Sequence, residues 1–213
     1  MSVVGNLTNH TFSRAVHLLA NRDRDLNVIV SNYGIPPFWR RNQGFPTLIS
    51  IILEQQVSLA SAKAAYNKLL KAVSPLTPEN FIHLTDLNLK TIGFSRQKAQ
   101  YGRILADSIL QGNLDLSRLQ RLDDSEAKEK LMSIKGIGSW TADIYMLLAM
   151  RRPDIWPSGD MAIALAVQRI KKMPAKPSVP ELSEISLRWQ PWRAVAARML
   201  WHFYLNGNGR NGF

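Results

Sequence analysis

The apolar residues of this chain recur with helical spacing along nearly its whole length, and no stretch alternates polar and apolar residues as a strand would. The opening segment "TFSRAVHLLANRDRDLNVIVSNYG" predicts two helices, and later helices are predicted at about 125–134, 139–150 and 161–172. The segments "LTPENFIHL" and "LTDLNLKTIGFSRQKAQYGRILADSILQG" predict further helices, each with a threonine, serine or aspartate that can cap its start. The sequence therefore predicts an all-α fold.

Two stretches near the end of the chain lack a clear helical start. "MPAKPSVPELSEISLRW" is interpreted as a proline-rich link, and "GNGRNGF" as a frayed tail. Between them, "PWRAVAARMLWHFYLN" predicts the closing helix.

The segment "FPTLISIILEQQ" is the most apolar part of the chain. The residues assigned to its two faces are Leu48, Ile51, Ile52 and Leu59 on one and Ile49 and Leu53 on the other. A helix that is apolar nearly all round lies at the centre of a fold, so we expect this one to form the core. Glu54 stops it short of the roughly 20 apolar residues that a membrane span needs.

The 213 residues carry a formal net charge of +11. Such a balance favours a polyanionic partner, and the basic residues are dispersed, so we expect a folded face to make the contact. The chain has no cysteine, which excludes disulfides, thiolate zinc sites, a cysteine nucleophile and an iron–sulfur cluster. The polar start "MSVVGNLTNH" does not resemble a signal peptide.

Two glycines stand close together between two predicted helices in "IKGIGSW". Gly136 and Gly138 can adopt positive φ angles and allow another backbone to approach. The second helix begins there with unpaired amides, which can bind a phosphate, and Lys135 adds a positive charge beside them. A plain tight turn between antiparallel helices explains the same spacing. The basic composition leaves the two interpretations about equal.

Two polar features interrupt apolar surroundings elsewhere. Gln55 and Gln56 end the most apolar helix, either because it emerges into solvent or because the pair has a function.

Asp160 in "WPSGDMAIALAV" directly precedes a periodic helix, which is the position of an N-cap. A helix start also stabilises a negative charge, so a structural and a catalytic role are compatible there. Asp143 and Asp154 are alternative candidates for a catalytic carboxylate, but only because they are also aspartates.

Together, "LMSIKGIGSWTADIYML" and "DIWPSGDMAIALAV" resemble the helix–hairpin–helix (HhH-GPD) superfamily of DNA glycosylases. The closest branch is that of 3-methyladenine DNA glycosylase II, which "TLISIILEQQVSLASA", "GFSRQKAQYGRILADSI" and "WQPWRAVAARMLW" also resemble, over about residues 20–205. The resemblance implies one module of two helical lobes without an N-terminal β domain. We expect one lobe at about 40–125, and the other, with the hairpin, at 1–39 plus 126–213.

The resemblance also implies roles for individual residues. Asp160 matches the catalytic aspartate, whose charge would stabilise the oxocarbenium-like sugar and orient water. The expected DNA contacts are Lys135, Gly136, Ile137, Gly138 and Thr141 in the hairpin, with Gln55 and Gln56 at the minor groove, where Gln56 or a neighbour fills the gap left by a flipped nucleotide. The expected base-binding positions are Trp140, Trp201, Ile144 and Met161, although Trp140 also fits a core aromatic. The backbone carbonyls near Met132, Ile134 and Gly136 are expected to hold a structural monovalent cation, with no catalytic metal.

The activity implied is hydrolytic excision of alkylated purines, such as 3-methyladenine and 7-methylguanine, from double-stranded DNA. Related enzymes that also cut the strand place a lysine where this chain has Trp140, so no lyase activity is expected. Aliphatic Ile144 and Met161 stand where polar or aromatic residues are expected, which leaves the base preference open. The resemblance implies no cofactor and no membrane partner, and we expect a monomer in the cytoplasm or nucleoid, or in a eukaryotic nucleus. A glycosylase for deaminated or mismatched bases and a non-catalytic binder of damaged DNA remain alternatives.

Overall fold

The computed structural model describes residues 5–207, and the regular elements in this range are all helical. The α-helices are α1 (Asn9–Arg22), α2 (Arg24–Tyr33), α3 (Phe45–Glu54), α4 (Leu59–Ala72), α5 (Pro78–Ile82), α6 (Asp86–Ile92), α7 (Arg96–Leu110), α8 (Asp124–Met132), α9 (Ser139–Leu148), α10 (Met161–Ile170), α11 (Val179–Ser186) and α12 (Arg193–Gly207). Short 3-10 helices occupy Arg118–Arg121 and Leu187–Trp189. The all-α prediction is confirmed for this range. None of these helices combines the length and the apolar character that crossing a membrane requires.

Helix starts follow the capping residues that the sequence predicts. The hydroxyls of Thr77, Thr85 and Ser95 each accept the amide of the residue three positions later, at 3.3, 3.1 and 3.2 Å. Each bond satisfies one of the unpaired amides at a helix start. These boundaries are local, and the sequence was sufficient to locate them.

The segment interpreted as a proline-rich link contains helix α11, so that interpretation was wrong. Ser178 and Glu181 form a reciprocal capping box, in which the Ser178 amide donates to Glu181 Oε2 at 2.7 Å. A proline in the first helical turn is tolerated because its missing amide would have no helical partner. The predicted frayed tail lies outside the described residues, apart from Gly207.

The chain divides into two compact units, and the first comprises Met1–Arg40 with Met146–Phe213. Within it, α12 packs against α1, α2 and α10. Arg198 of α12 is fully buried, and its guanidinium donates to the carbonyls of Trp39 and Leu147 at 3.2 and 2.8 Å. Trp189 is buried and donates through Nε1 to Asp23 Oδ2 at 2.8 Å. Trp192 is half-buried.

The second unit is Arg41–Tyr145, and α3 forms its core between α4 and α7. Residues on all sides of α3 are buried, including Leu48, Ile49, Ile51 and Ile52, so the expected central helix is confirmed. The assignment of Leu59 to the same helix was wrong. Leu59 begins α4 and is 65% exposed, because α3 ends at Glu54 and a turn separates the two helices.

The unit boundaries differ from the expected lobes at one end. The first falls between Arg40 and Arg41, near the expected position, but the second falls inside α9, between Tyr145 and Met146. The hairpin therefore belongs to the Arg41–Tyr145 unit and not with the terminal segments. Two contacts between residues far apart in sequence explain this difference: Gln55, which follows α3, bonds the Gly136 carbonyl, and Tyr101 of α7 packs against Gly136.

Candidate functional site

The glycine hairpin joins α8 to α9 by a tight turn in which the Ile137 amide donates to the Ile134 carbonyl at 3.0 Å. Gly136 has a φ of +101°, and a Cβ at this position would stand 2.7 Å from Tyr101 Cδ1. Both the backbone angle and the close approach of the Tyr101 ring require glycine. Gly136 is thus a residue that the fold of its unit demands.

Gly138 occupies a different environment from Gly136. A Cβ built on it would meet no atom within 4 Å, so packing does not explain a glycine there. The amides of Gly136 and Gly138 donate no hydrogen bond to any residue in the described range. Together with the first amides of α9, they form a set of donors at a helix N-terminus. Lys135 is exposed beside them.

Two other expected hairpin contacts are occupied within the protein. Ile137 is buried and its amide is bonded inside the turn. Thr141 is also buried, and its Oγ1 accepts a hydrogen bond from Gln55 Nε2 at 2.9 Å. These two side chains support the hairpin from inside the protein, and the expected contact of Ile137 and Thr141 with DNA stays a prediction.

Gln55 connects the end of α3 to the hairpin. Its Nε2 donates to the Gly136 carbonyl at 2.9 Å as well as to Thr141, so one amide group bonds two points of the turn. The neighbouring Gln56 is exposed and has a φ of 56°, which is uncommon for a residue other than glycine. The two glutamines are therefore distinct, since Gln55 faces inward to the protein and Gln56 stands in solvent.

An ion pair links the two helices of the hairpin. Lys128 Nζ of α8 lies 2.7 Å from Asp143 Oδ1 of α9, and the Asp143 side chain is only 3% exposed. Ser139 Oγ donates to Asp143 Oδ2 at 3.3 Å. The sequence analysis missed Lys128 and Tyr101 as supports of the hairpin. Nothing in the residues around Tyr101 indicates that it contacts the hairpin. A lysine on α8 and an aspartate on α9 are only a weak indication of an ion pair between the two helices.

The hairpin carbonyls expected to hold a cation already accept hydrogen bonds, the Ile134 carbonyl from Ile137 and the Gly136 carbonyl from Gln55. A carbonyl oxygen has two lone pairs, so each keeps one for a further partner. Oxygen ligands suit an alkali cation, so the chemistry of these carbonyls is compatible with the expected cation, which stays a prediction. Among residues 5–207 no cluster of three or more histidine, aspartate or glutamate side chains could hold a metal ion.

Asp160 caps α10 in the other unit. Its Oδ1 accepts the Ile163 amide at 3.0 Å and Trp201 Nε1 of α12 at 3.1 Å. The residue is 8% exposed. The predicted N-cap is confirmed, and the bond to Trp201 adds a donor from a different helix, which the sequence did not predict. The two donors hold the carboxylate in one orientation at a helix N-terminus, where negative charge is favoured.

The competing aspartates are engaged in ion pairs. Asp143 pairs with Lys128, and Asp154 forms a two-point pair with Arg193, at 2.9 Å to Nε and 2.8 Å to Nη2. The pair holds the Arg193 guanidinium within the protein. Asp160 accepts its two hydrogen bonds from the Ile163 amide and the Trp201 indole.

The four expected base-binding residues lie in different environments. Trp140 in the first turn of α9 and Trp201 in α12 are half-buried, and Ile144 is buried. Met161 is 57% exposed, and Lys176 Nζ lies 3.3 Å from its Sδ. Trp140 is thus not a fully buried core residue.

Residues 49–191 match the family described as HhH-GPD superfamily base excision DNA repair protein. The match spans more than half of the chain, so the chain belongs to this superfamily. The resemblance inferred from the sequence is confirmed.

Individual relatives extend this comparison. A DNA-3-methyladenine glycosylase of Bacillus subtilis (strain 168) is 27% identical over 169 residues, covering 74% of this chain but only 56% of the relative. DNA-3-methyladenine glycosylase 1 of Schizosaccharomyces pombe is 29% identical over 181 residues, covering 81% of this chain and 78% of the relative. The solved 3-methyladenine DNA glycosylase (Mag1) of that yeast, in complex with abasic-DNA, superposes with a TM-score of 0.82 at 25% identity, covering 88% of this chain and 95% of that chain.

Proposed function

We propose that this protein is a DNA glycosylase of base excision repair that hydrolyses the N-glycosidic bond of alkylated purines in duplex DNA. The observation that carries the proposal is the geometry of Asp160, a carboxylate held by the Ile163 amide and the Trp201 indole at a helix start. Membership of the superfamily and the names of the relatives support it. The net charge of +11 suits a DNA partner.

The chemistry requires a fixed negative charge near the sugar. As the bond from C1′ to the base nitrogen breaks, both electrons leave with the base and the sugar becomes positively charged. The Asp160 carboxylate stabilises that charge and accepts a proton from the water whose oxygen bonds to C1′. An N-alkylated purine is cationic before cleavage and leaves as a neutral base, so no general acid is needed. Aromatic faces such as those of Trp140 and Trp201 attract cationic bases.

The hairpin would hold the DNA backbone. The unpaired amides of Gly136 and Gly138 and the α9 N-terminus suit a phosphate oxygen, and Lys135 adds positive charge. Gln55 would keep the turn in its binding conformation, while exposed Gln56 would enter the minor groove beside the flipped nucleotide. A monovalent cation held by the carbonyls of Met132, Ile134 and Gly136 would stiffen the same turn.

We infer that the enzyme has no lyase activity. A lyase needs an amine that attacks C1′ and forms a Schiff base, and the matching hairpin position holds Trp140. Lys135 stands before both glycines, in the part of the turn assigned to phosphate binding.

The test is incubation of the protein with methylated duplex DNA, followed by chromatographic identification of free bases. Release of 3-methyladenine or 7-methylguanine by the wild type, and not by Asp160→Asn, is the expected result. DNA binding without any released base would contradict the enzymatic proposal and favour a non-catalytic binder. Release of deaminated or mismatched bases alone would contradict the proposed substrate.

A further inference from the structure

The unit that contains Asp160 carries most of the positive charge of the chain. Its two segments, Met1–Arg40 and Met146–Phe213, contain 14 lysine and arginine residues against six aspartate and glutamate residues. The excess is eight positive charges out of the eleven of the whole chain, although the glycine hairpin lies in the other unit. Such an excess favours a polyanionic partner for the Asp160 unit as well as for the hairpin.

Lys176 lies beside the residue that follows Asp160 in the chain. Its Nζ is 3.3 Å from Sδ of Met161, and both side chains are exposed. A thioether sulfur is a weak acceptor, whereas an ammonium group has three N–H donors. Lys176 forms no ion pair with any residue in the described part of the chain. Its ammonium group can therefore donate further hydrogen bonds to a ligand next to Asp160.

The loop between α10 and α11 fixes the backbone that carries this lysine. Pro174 and Pro177 stand on either side of Lys176, and Pro177 is buried. A residue that precedes proline is restricted to extended conformations, and this applies to Lys176. Directly after Pro177, the capping box of Ser178 and Glu181 starts α11 and holds that end of the loop. A fixed backbone lowers the entropy that the lysine loses when it binds a ligand.

The chemistry of the proposed reaction selects the group that Lys176 contacts. An alkylated purine is cationic before cleavage, and the sugar becomes positively charged as the glycosidic bond breaks. An ammonium group held against either of them would oppose the reaction by charge repulsion. The anionic groups joined to the same sugar are the phosphates on each side of the flipped nucleotide. A phosphate accepts charge-assisted hydrogen bonds from lysine and neutralises its charge, so this contact does not weaken the effect of the Asp160 carboxylate.

We propose that Lys176 binds a DNA phosphate next to the flipped nucleotide, which gives the Asp160 unit its own contact with the damaged strand. The inference rests on the proposed function, which places the sugar of that nucleotide at Asp160. The contact is separate from the one proposed at Gly136 and Gly138, because those glycines belong to the other unit.

The first experiment measures how the affinity for a duplex with a tetrahydrofuran abasic site depends on salt concentration. Each phosphate contact contributes about 0.9 to the slope of log K against log salt, so Lys176→Met should make that slope shallower by about 0.9. The same variant should weaken binding about tenfold at low salt, the lower end of the effect of a hydrogen bond to a charged group. Lys176→Arg keeps the charge and should keep the slope.

Lys172→Met is the matched control for the loss of one lysine charge from the same unit. Lys172 is also exposed, but it follows the end of α10, whereas Asp160 precedes its start. The ten residues of α10 separate those two ends by about 15 Å. Lys172→Met should therefore leave the slope unchanged.

The second experiment locates the phosphate. A methylphosphonate, which carries no charge, replaces one phosphate at a time on either side of the abasic nucleotide. One of these replacements should weaken wild-type binding severalfold and leave Lys176→Met binding unchanged, because the variant has already lost that contact.

The outcomes separate this inference from the proposed function. A wild type that binds the abasic duplex but releases no methylated base would contradict the function, while both binding experiments would still test Lys176. Equal slopes for Lys176→Met and the wild type, or equal losses in Lys176→Met and Lys172→Met, would overturn the inference. A borohydride adduct with a natural abasic site that disappears in Lys176→Met would also overturn it, because the amine would then attack C1′ instead of binding a phosphate.

Discussion

Substitution of the two hairpin glycines by alanine should separate the stability of the unit from its proposed grip on DNA. At Gly136 the new Cβ would stand 2.6 Å from Tyr101 Cβ and 2.7 Å from Tyr101 Cδ1, on a backbone with φ of +101°. The left-handed backbone costs about 1–2 kcal/mol for an L residue. The overlap costs about 1–3 kcal/mol, because the root of the Tyr101 side chain cannot move aside easily. We therefore expect Gly136→Ala to lower the free energy of unfolding by about 2–5 kcal/mol.

Two control variants divide that loss into its parts. Gly112 has a φ of +73° and open space around it, so Gly112→Ala carries only the backbone cost. Gly138 has open space and no positive φ, so Gly138→Ala should change stability by less than about 1 kcal/mol. The double variant Tyr101→Ala with Gly136→Ala removes the ring, so it should recover the part of the free energy of unfolding that the overlap costs.

The assay is urea unfolding of each variant, with duplex binding measured in parallel. Gly138→Ala should weaken binding to damaged and undamaged duplexes equally, because a phosphate contact carries no information about the base. If Gly136→Ala loses no more stability than Gly112→Ala, the Tyr101 contact does not constrain the turn. A binding loss confined to damaged DNA would contradict the phosphate role of Gly138.

Three further predictions concern the chemistry and the hairpin support. Asp160→Asn should keep the fold and DNA affinity and lose at least about 100-fold in single-turnover excision of 3-methyladenine, since it removes the stabilising charge; a loss below tenfold would contradict its catalytic role. Strand breaks should appear only after added alkali, and borohydride should trap no stoichiometric protein–DNA adduct, whereas a strong adduct would identify an amine nucleophile such as Lys135. Lys128→Met should lower the free energy of unfolding by about 3–5 kcal/mol, because it removes the ion-pair partner of the buried Asp143 carboxylate. The added change Asp143→Asn should restore part of that loss in thermal melts, and equal melting temperatures of Lys128→Met and the wild type would refute this ion pair.

The helices and their starts could be predicted from the sequence because they depend on neighbours in the chain. Thr77, Thr85, Ser95 and Asp160 each cap an amide three residues ahead, and a cap is visible wherever such a residue precedes a periodic stretch. The same local rule was available for Ser178 and Glu181, but the prolines around them concealed α11. The two glycines and the later aspartate indicated the superfamily because they also form a pattern within one short stretch of the chain.

Only the tertiary structure decided which partners those local features meet. Gln55 bonds the Gly136 carbonyl 81 residues away, Trp201 bonds Asp160 across 41 residues, and Tyr101 excludes any side chain at Gly136. These contacts also place the hairpin in the Arg41–Tyr145 unit, against the expected boundary. The sequence does not distinguish a glutamine at a helix end that faces solvent from one that faces a buried turn. Its role is decided by packing between helices, because the burial and orientation of a side chain depend on residues far away in the chain.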